Sequence, residues 1–89
     1  MNKCYIIVLW HNGIPHFLQT NNKMAWCYFN DTKAYIRLGC AINAAKKLNR
    51  KYVNDRICIY HIPYSMSFSS CDFVQGKFNN DLVHEIRKC

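Results

Sequence analysis

The chain of 89 residues is long enough for one domain, residues 1–89, and too short for two. Hydrophobic residues make up 51% of it and aromatic residues 15%, which excludes an intrinsically disordered protein. No apolar run approaches the roughly 20 residues of a membrane-spanning helix, and we expect no membrane partner. Twelve Lys and Arg against five Asp and Glu give a net charge of +7, which favours an anionic partner.

The first predicted element is a β-hairpin centred on Asn12-Gly13. Residues 4–11 are apolar without a polar break, which is typical of a central strand covered on both faces. Asn-Gly between apolar runs predicts a two-residue turn, because both turn positions need positive φ. The second strand then covers residues 14–20. A two-residue turn fixes the cross-strand pairs as His11 with Ile14, Trp10 with Pro15, and Leu9 with His16.

The remaining elements follow from periodicity and capping residues. A third strand is predicted over 24–29, and a helix over about 32–50, begun by Asn30, Asp31 or Thr32 as N-cap. The buried stripe of this helix is predicted to consist of Ala34, Leu38, Ala41, Ile42, Ala45 and Leu48. A fourth strand follows over 56–62. A short final helix carries Leu82, Val83 and Ile86.

This order of elements predicts an α+β fold with one long helix on one sheet face. A right-handed crossover after the three-stranded antiparallel meander places strand four parallel to strand one, in the sheet order 3-2-1-4. Because strand one is apolar on both sides, its second face also needs a cover. The candidates are residues 64–89, a second copy in a homodimer, or a partner.

The six cysteines, at positions 4, 27, 40, 58, 71 and 89, are interpreted as free thiols. They fall mainly within predicted strands and the helix, and no C-x-x-C pair indicates a zinc ribbon or a thioredoxin-type site. Free thiols indicate a reducing, cytoplasmic compartment.

The sequence predicts a protein without enzymatic activity and without a cofactor. Only Asp81 and Glu85 could share a helix face, near a chain end, which argues against paired-carboxylate catalysis. No Gly-rich phosphate loop is present. No metal site is predicted; His11 and His16, on one face of the hairpin, are the weak candidates, with a distant third ligand such as His61 or a cysteine.

Several features together carry a class-level resemblance: the small size, the hairpin at Asn12-Gly13, the β-β-β-α-β layout over 4–62, and abundant Asn, Lys, Ile and Tyr, which have AT-rich codons. In these respects the chain resembles the short accessory proteins of AT-rich phages. That resemblance implies a stoichiometric inhibitor of a host or defence protein, acting in the cytoplasm of an infected cell. At +7 the chain departs from the acidic, DNA-mimicking kind.

Two functional hypotheses follow. The first is a binding protein that blocks a protein target with an acidic face. Aromatic residues and Arg dominate interface energetics, and the predicted anchors are Trp26, Tyr28, Tyr60, Ile36, Arg37, Lys47, Arg50 and Lys51. The second is a small protein that binds RNA or DNA, because basic residues interleaved with aromatics are typical of that class.

Overall fold

A computed structural model of the chain describes residues 3–20, 23–25, 32–63 and 70–86. The predicted hairpin is confirmed: β1 (Lys3–His11) pairs antiparallel with β2 (Ile14–Leu18) in the expected register. Asn12 and Gly13 have φ of 52° and 79°, as a type I′ turn requires. The third strand appears as β3 (Met24–Ala25), and the rest of that prediction lies outside the described residues.

Within the described part of the chain, five strands form one sheet in the order β3-β2-β1-β4-β5. β4 (Arg56–Pro63) lies beside β1 and runs opposite to it, and β5 (Leu82–Ile86) pairs antiparallel with β4. The predicted α+β class is confirmed. The predicted parallel fourth strand is wrong, and so is the four-stranded order 3-2-1-4, because a fifth strand occupies the edge beyond strand four.

The path of the chain before the long helix explains the reversed strand. The predicted start of the helix is instead an extended segment: Tyr35 exchanges two backbone hydrogen bonds of 2.8 Å with Tyr5, near the start of β1. α1 (Leu38–Lys51) therefore begins at that end of β1 and runs toward the hairpin. A short turn then starts β4 with Arg56 opposite Trp10. β4 can only return antiparallel to β1.

The last predicted helix is also wrong, because its residues complete the sheet. β4 is buried from Ile57 to Tyr60, so its free edge would leave backbone donors and acceptors unpaired in the core. β5 supplies their partners. An irregularity in the pairing lies between Ile59 and Tyr60. On either side of this irregularity, Leu82 packs on one face of the sheet and Ile86 packs on the other.

Each sheet face has its own cover. Ala41 and Ala45 of α1 are fully buried against Ile7, Leu9 and neighbours, and the small alanines let the helix approach closely. On the opposite face, Phe73 of α2 (Ser70–Val74) and Phe78 pack on a cluster of β1, β2 and β4 side chains: Cys4, Ile6, Val8, Phe17, Cys58, Tyr60 and Ile62. Among the three predicted covers, the C-terminal segment therefore fills this role.

Candidate functional site

The predicted anchor residues are not all on one surface. Trp26 and Tyr28 lie outside the described residues. Tyr60 is 3% exposed and belongs to the cluster under α2, on the face of the sheet opposite α1. Burial raises its pKa to about 12. The prediction of Tyr60 as an anchor is therefore wrong, because a partner on the α1 surface cannot reach it.

The predicted helix residues lie on the surface but at two ends of it. Ile36 and Arg37 precede α1, and Ile36 is 84% exposed. Lys47, Arg50 and Lys51 are exposed near the other end of the helix. At 1.5 Å per residue, Arg37 and Lys51 are separated by about 20 Å along the helix axis. The basic residues near the C-terminal end thus form one candidate site, and Ile36-Arg37 is separate from it.

A groove of about 570 Å³ lies along α1, from Cys40 to Lys51. Its floor is apolar, and three lysines stand around it: Lys33 from the extended segment, and Lys47 and Lys51 from the helix. We call this the lysine groove. The described residues that line it are Leu18, Lys33, Tyr35, Cys40, Asn43, Ala44, Lys47, Leu48 and Lys51. None of these described residues is a carboxylate, so their charges favour an anion.

Two tyrosines stand beside the lysines of the groove. The Lys33 ammonium lies 5.5 Å from the centre of the Tyr35 ring, and the Lys51 ammonium lies 5.5 Å from the centre of the Tyr52 ring. Contacts of this kind hold a flexible lysine side chain near an aromatic face. Of these two rings, Tyr35 lines the groove itself.

The charges of α1 are not neutralised within the described residues. The helix carries Lys46, Lys47, Arg50 and Lys51 and no acid. The ion pairs described elsewhere are His11 with Asp55 and Arg56 with Glu85, so none involves these four cations. Lys46 and Arg50, like Lys47 and Lys51, are four residues apart, where like charges repel each other on a helix surface.

Two of the described cysteines, Cys4 and Cys58, are buried thiols with raised pKa values. Cys58 is fully buried, and burial raises its pKa from 9.0 to about 11. Burial also raises the pKa of Cys4. A thiol protonated to this degree is a poor nucleophile at neutral pH. Among the described cysteines, Cys4, Cys40, Cys58 and Cys71 are free thiols.

The two candidate metal ligands do come together. His11 and His16 lie at the hairpin end of the sheet with ring centres 6.4 Å apart, and the Asp55 carboxylate accepts a 2.7 Å hydrogen bond from His11 Nδ1. His61 is not a third ligand, because it stacks on Tyr5 at 4.2 Å near the other end of β1. In the described part of the chain, no group of three His, Cys, Asp or Glu side chains has metal-binding geometry.

Sequence reasoning missed Lys33 and Tyr35 as groove residues, since both were placed in a longer helix. It also missed Asp55, assigned to a turn, as the partner of His11. The turn assignment was right, and no local pattern shows which side chain a turn residue contacts 44 positions away.

Comparison with known protein families, characterised proteins and solved structures finds no match. Among the described residues, no helix is long and apolar enough to cross a membrane. The function must therefore be argued from the surface itself.

Proposed function

We propose that the protein binds nucleic acid, RNA or DNA, through the lysine groove and the adjoining basic surface of α1. The observation that carries this proposal is the groove itself: three lysines stand around an apolar floor, and the described lining residues include no acid. Phosphate contacts by Lys and Arg supply most of the affinity of non-specific nucleic-acid binding. The apolar floor and the ring of Tyr35 offer surfaces on which bases can stack.

The second face of β1 gives no support to a protein partner, because Phe73 and Phe78 cover that face from within the chain. The basic surface of α1 is exposed, and it is therefore the better guide to function.

The test is fluorescence anisotropy with a labelled 20-base-pair DNA duplex and a labelled 20-nucleotide RNA. The groove variant is Lys47→Gln with Lys51→Gln. Its matched control is Lys3→Gln with Lys77→Gln, which removes the same charge from exposed positions; Lys77 lies at the α2 face. We expect the groove variant to lose affinity while the control keeps it. Equal losses of affinity in both variants would refute a site in the groove and would mean that the net charge alone attracts nucleic acid.

A second candidate is the inhibitor of a protein with an acidic face, of the phage accessory type. The observation in its favour is the exposed Ile36 beside Arg37, an apolar and cationic pair away from the groove. Reduced cysteines, two of them exposed, support the cytoplasm as its setting. This hypothesis predicts a complex that survives nuclease treatment and is lost on Arg37→Glu. Unchanged affinity of that variant would remove this surface from consideration.

A further inference from the structure

The hairpin end carries a second cluster, separate from the lysine groove and independent of the proposed function. His11 on β1 and His16 on β2 point to the same face, with ring planes 75° apart. Asp55 reaches them from the turn between α1 and β4. The three side chains, with Leu9 and Tyr52, line a cavity of about 250 Å³.

The hydrogen bonds of both rings fix where their protons lie. His11 Nδ1 is 2.7 Å from the Asp55 carboxylate, and its Nε2 faces the side-chain amide nitrogen of Asn12 at 3.4 Å. A carboxylate accepts and an amide nitrogen donates, so Nδ1 of His11 carries the proton. The lone pair of Nε2 accepts from the exposed Asn12 side chain, which a metal ion would displace.

The same reasoning applies to the second ring. His16 Nδ1 lies 3.1 Å from the backbone oxygen of Ile14, which only accepts. Its proton is therefore on Nδ1, and its Nε2 also presents a lone pair when the ring is neutral. Two neighbouring imidazoles thus hold the same tautomer, each oriented by an oxygen behind it.

This pattern is the one that metal-ligating histidines show. Such histidines almost always donate the other ring N–H to a carboxylate or a backbone carbonyl, which fixes the tautomer and raises the basicity of the ligand. Asp55 does this for His11 and Ile14 does it for His16. The side chain of Asp55 is only 13% exposed, so its charge lies behind the ring with little solvent screening.

We propose that His11 and His16 bind one divalent transition metal ion of the Ni²⁺, Cu²⁺ or Zn²⁺ class through their Nε2 atoms. Imidazole nitrogen suits this class. Two imidazoles that share a tetrahedral ion at about 2.0–2.1 Å have ring centres roughly 5 Å apart. The observed separation is 6.4 Å, so binding would require the exposed His11 side chain to rotate toward His16. Water or a bound anion would fill the remaining coordination positions of the metal ion.

The test uses Ni²⁺, because the six cysteines compete for Zn²⁺ as soft thiolate ligands. Side-chain ¹H–¹⁵N spectra of the full-length chain are followed during a Ni²⁺ titration, and paramagnetic broadening reports the ligands. We expect His11 and His16 to broaden together before His61 and His84. In His11→Ala, the Ni²⁺ needed to broaden His16 should rise at least about tenfold, because one ligand is lost.

Two variants separate a shared site from single exposed rings. Asp55→Asn keeps both ligands and should weaken binding by about 10–100-fold, the usual effect of losing an outer-shell carboxylate. His84→Ala is the matched control and should leave the titration of His11 and His16 unchanged. The proposal is overturned if all four histidines broaden at the same Ni²⁺ concentration, if His16 responds normally in His11→Ala, or if broadening centres on the cysteines.

Discussion

The salt dependence of nucleic-acid binding is the sharpest test of the lysine groove. Each phosphate neutralised on a DNA duplex releases condensed counterions and contributes about −0.9 to the slope of log K against log salt. The groove places three lysines around one floor: Lys33, Lys47 and Lys51. If all three contact phosphates, we expect a slope of about −2.7 and a loss of affinity of about 40-fold between about 50 and 200 mM salt.

Removal of two groove lysines tests whether the groove is the source of this salt dependence. In Lys47→Gln with Lys51→Gln, one phosphate contact remains, so the slope should fall to about −0.9 and the loss over the same salt range to about 3–4-fold. Anisotropy titrations at four salt concentrations measure both slopes. The Lys3→Gln, Lys77→Gln control should keep the wild-type slope. A wild-type slope near zero, or the same slope in all three proteins, would refute phosphate binding by the groove.

Three further predictions concern the fold. Gly13→Ala should destabilise the fold by about 1 kcal/mol, because φ of Gly13 in the turn is 79°. Gly39→Ala should stabilise the fold by up to about 1 kcal/mol, because Gly39 lies in α1 and a Cβ there would meet no neighbouring atom. Urea unfolding measures both changes. Phe73→Ala should lower the free energy of unfolding by about 3–5 kcal/mol. A decrease below about 1 kcal/mol would mean that α2 does not cover the second face of the sheet. The free energy of unfolding should fall from pH 9 to 11, since Cys58 ionises near 9.0 when unfolded and near 11 when folded, and this part of the fall should vanish in Cys58→Ala.

The hairpin was predictable because its information is local. Asn12-Gly13 determines the turn type, and the turn type determines the register down to Leu9 with His16. The direction of β4 was not predictable in this way, because it depends on the backbone pairing of Tyr35 with Tyr5, 30 positions away. The sequence does carry a signal for the fifth strand: residues 57–60 are as continuously apolar as β1, which indicates a second central strand with a further strand beyond it.

The candidate site was predictable only in part. A helix face rich in Lys and Arg is visible from spacing alone, and Lys47 and Lys51 were identified that way. Lys33 was not predicted as a binding residue, and it reaches the groove from an extended segment that was assigned to the helix. Tyr60 failed as an anchor because alternation along a strand shows which residues share a face but does not show what covers that face.

Some cations of α1 stabilise the helix and others do not, and substitution of Lys47 tests whether its charge serves binding or stability. Arg50 and Lys51 lie in the last helical turn, where positive charge stabilises the helix dipole. Lys47 lies before that turn and gains little from it, yet it repels Lys51 four residues later. Lys47→Glu replaces this repulsion with a favourable Glu-to-Lys pair and should stabilise the fold by about 0.5–1 kcal/mol. It should also weaken binding of nucleic acid, because one phosphate contact is lost and a negative charge enters the groove. Urea unfolding and anisotropy on the same protein measure both effects. If Lys47→Glu destabilises the fold, the lysine stem packs in the groove for structural reasons, and its charge no longer argues for a ligand.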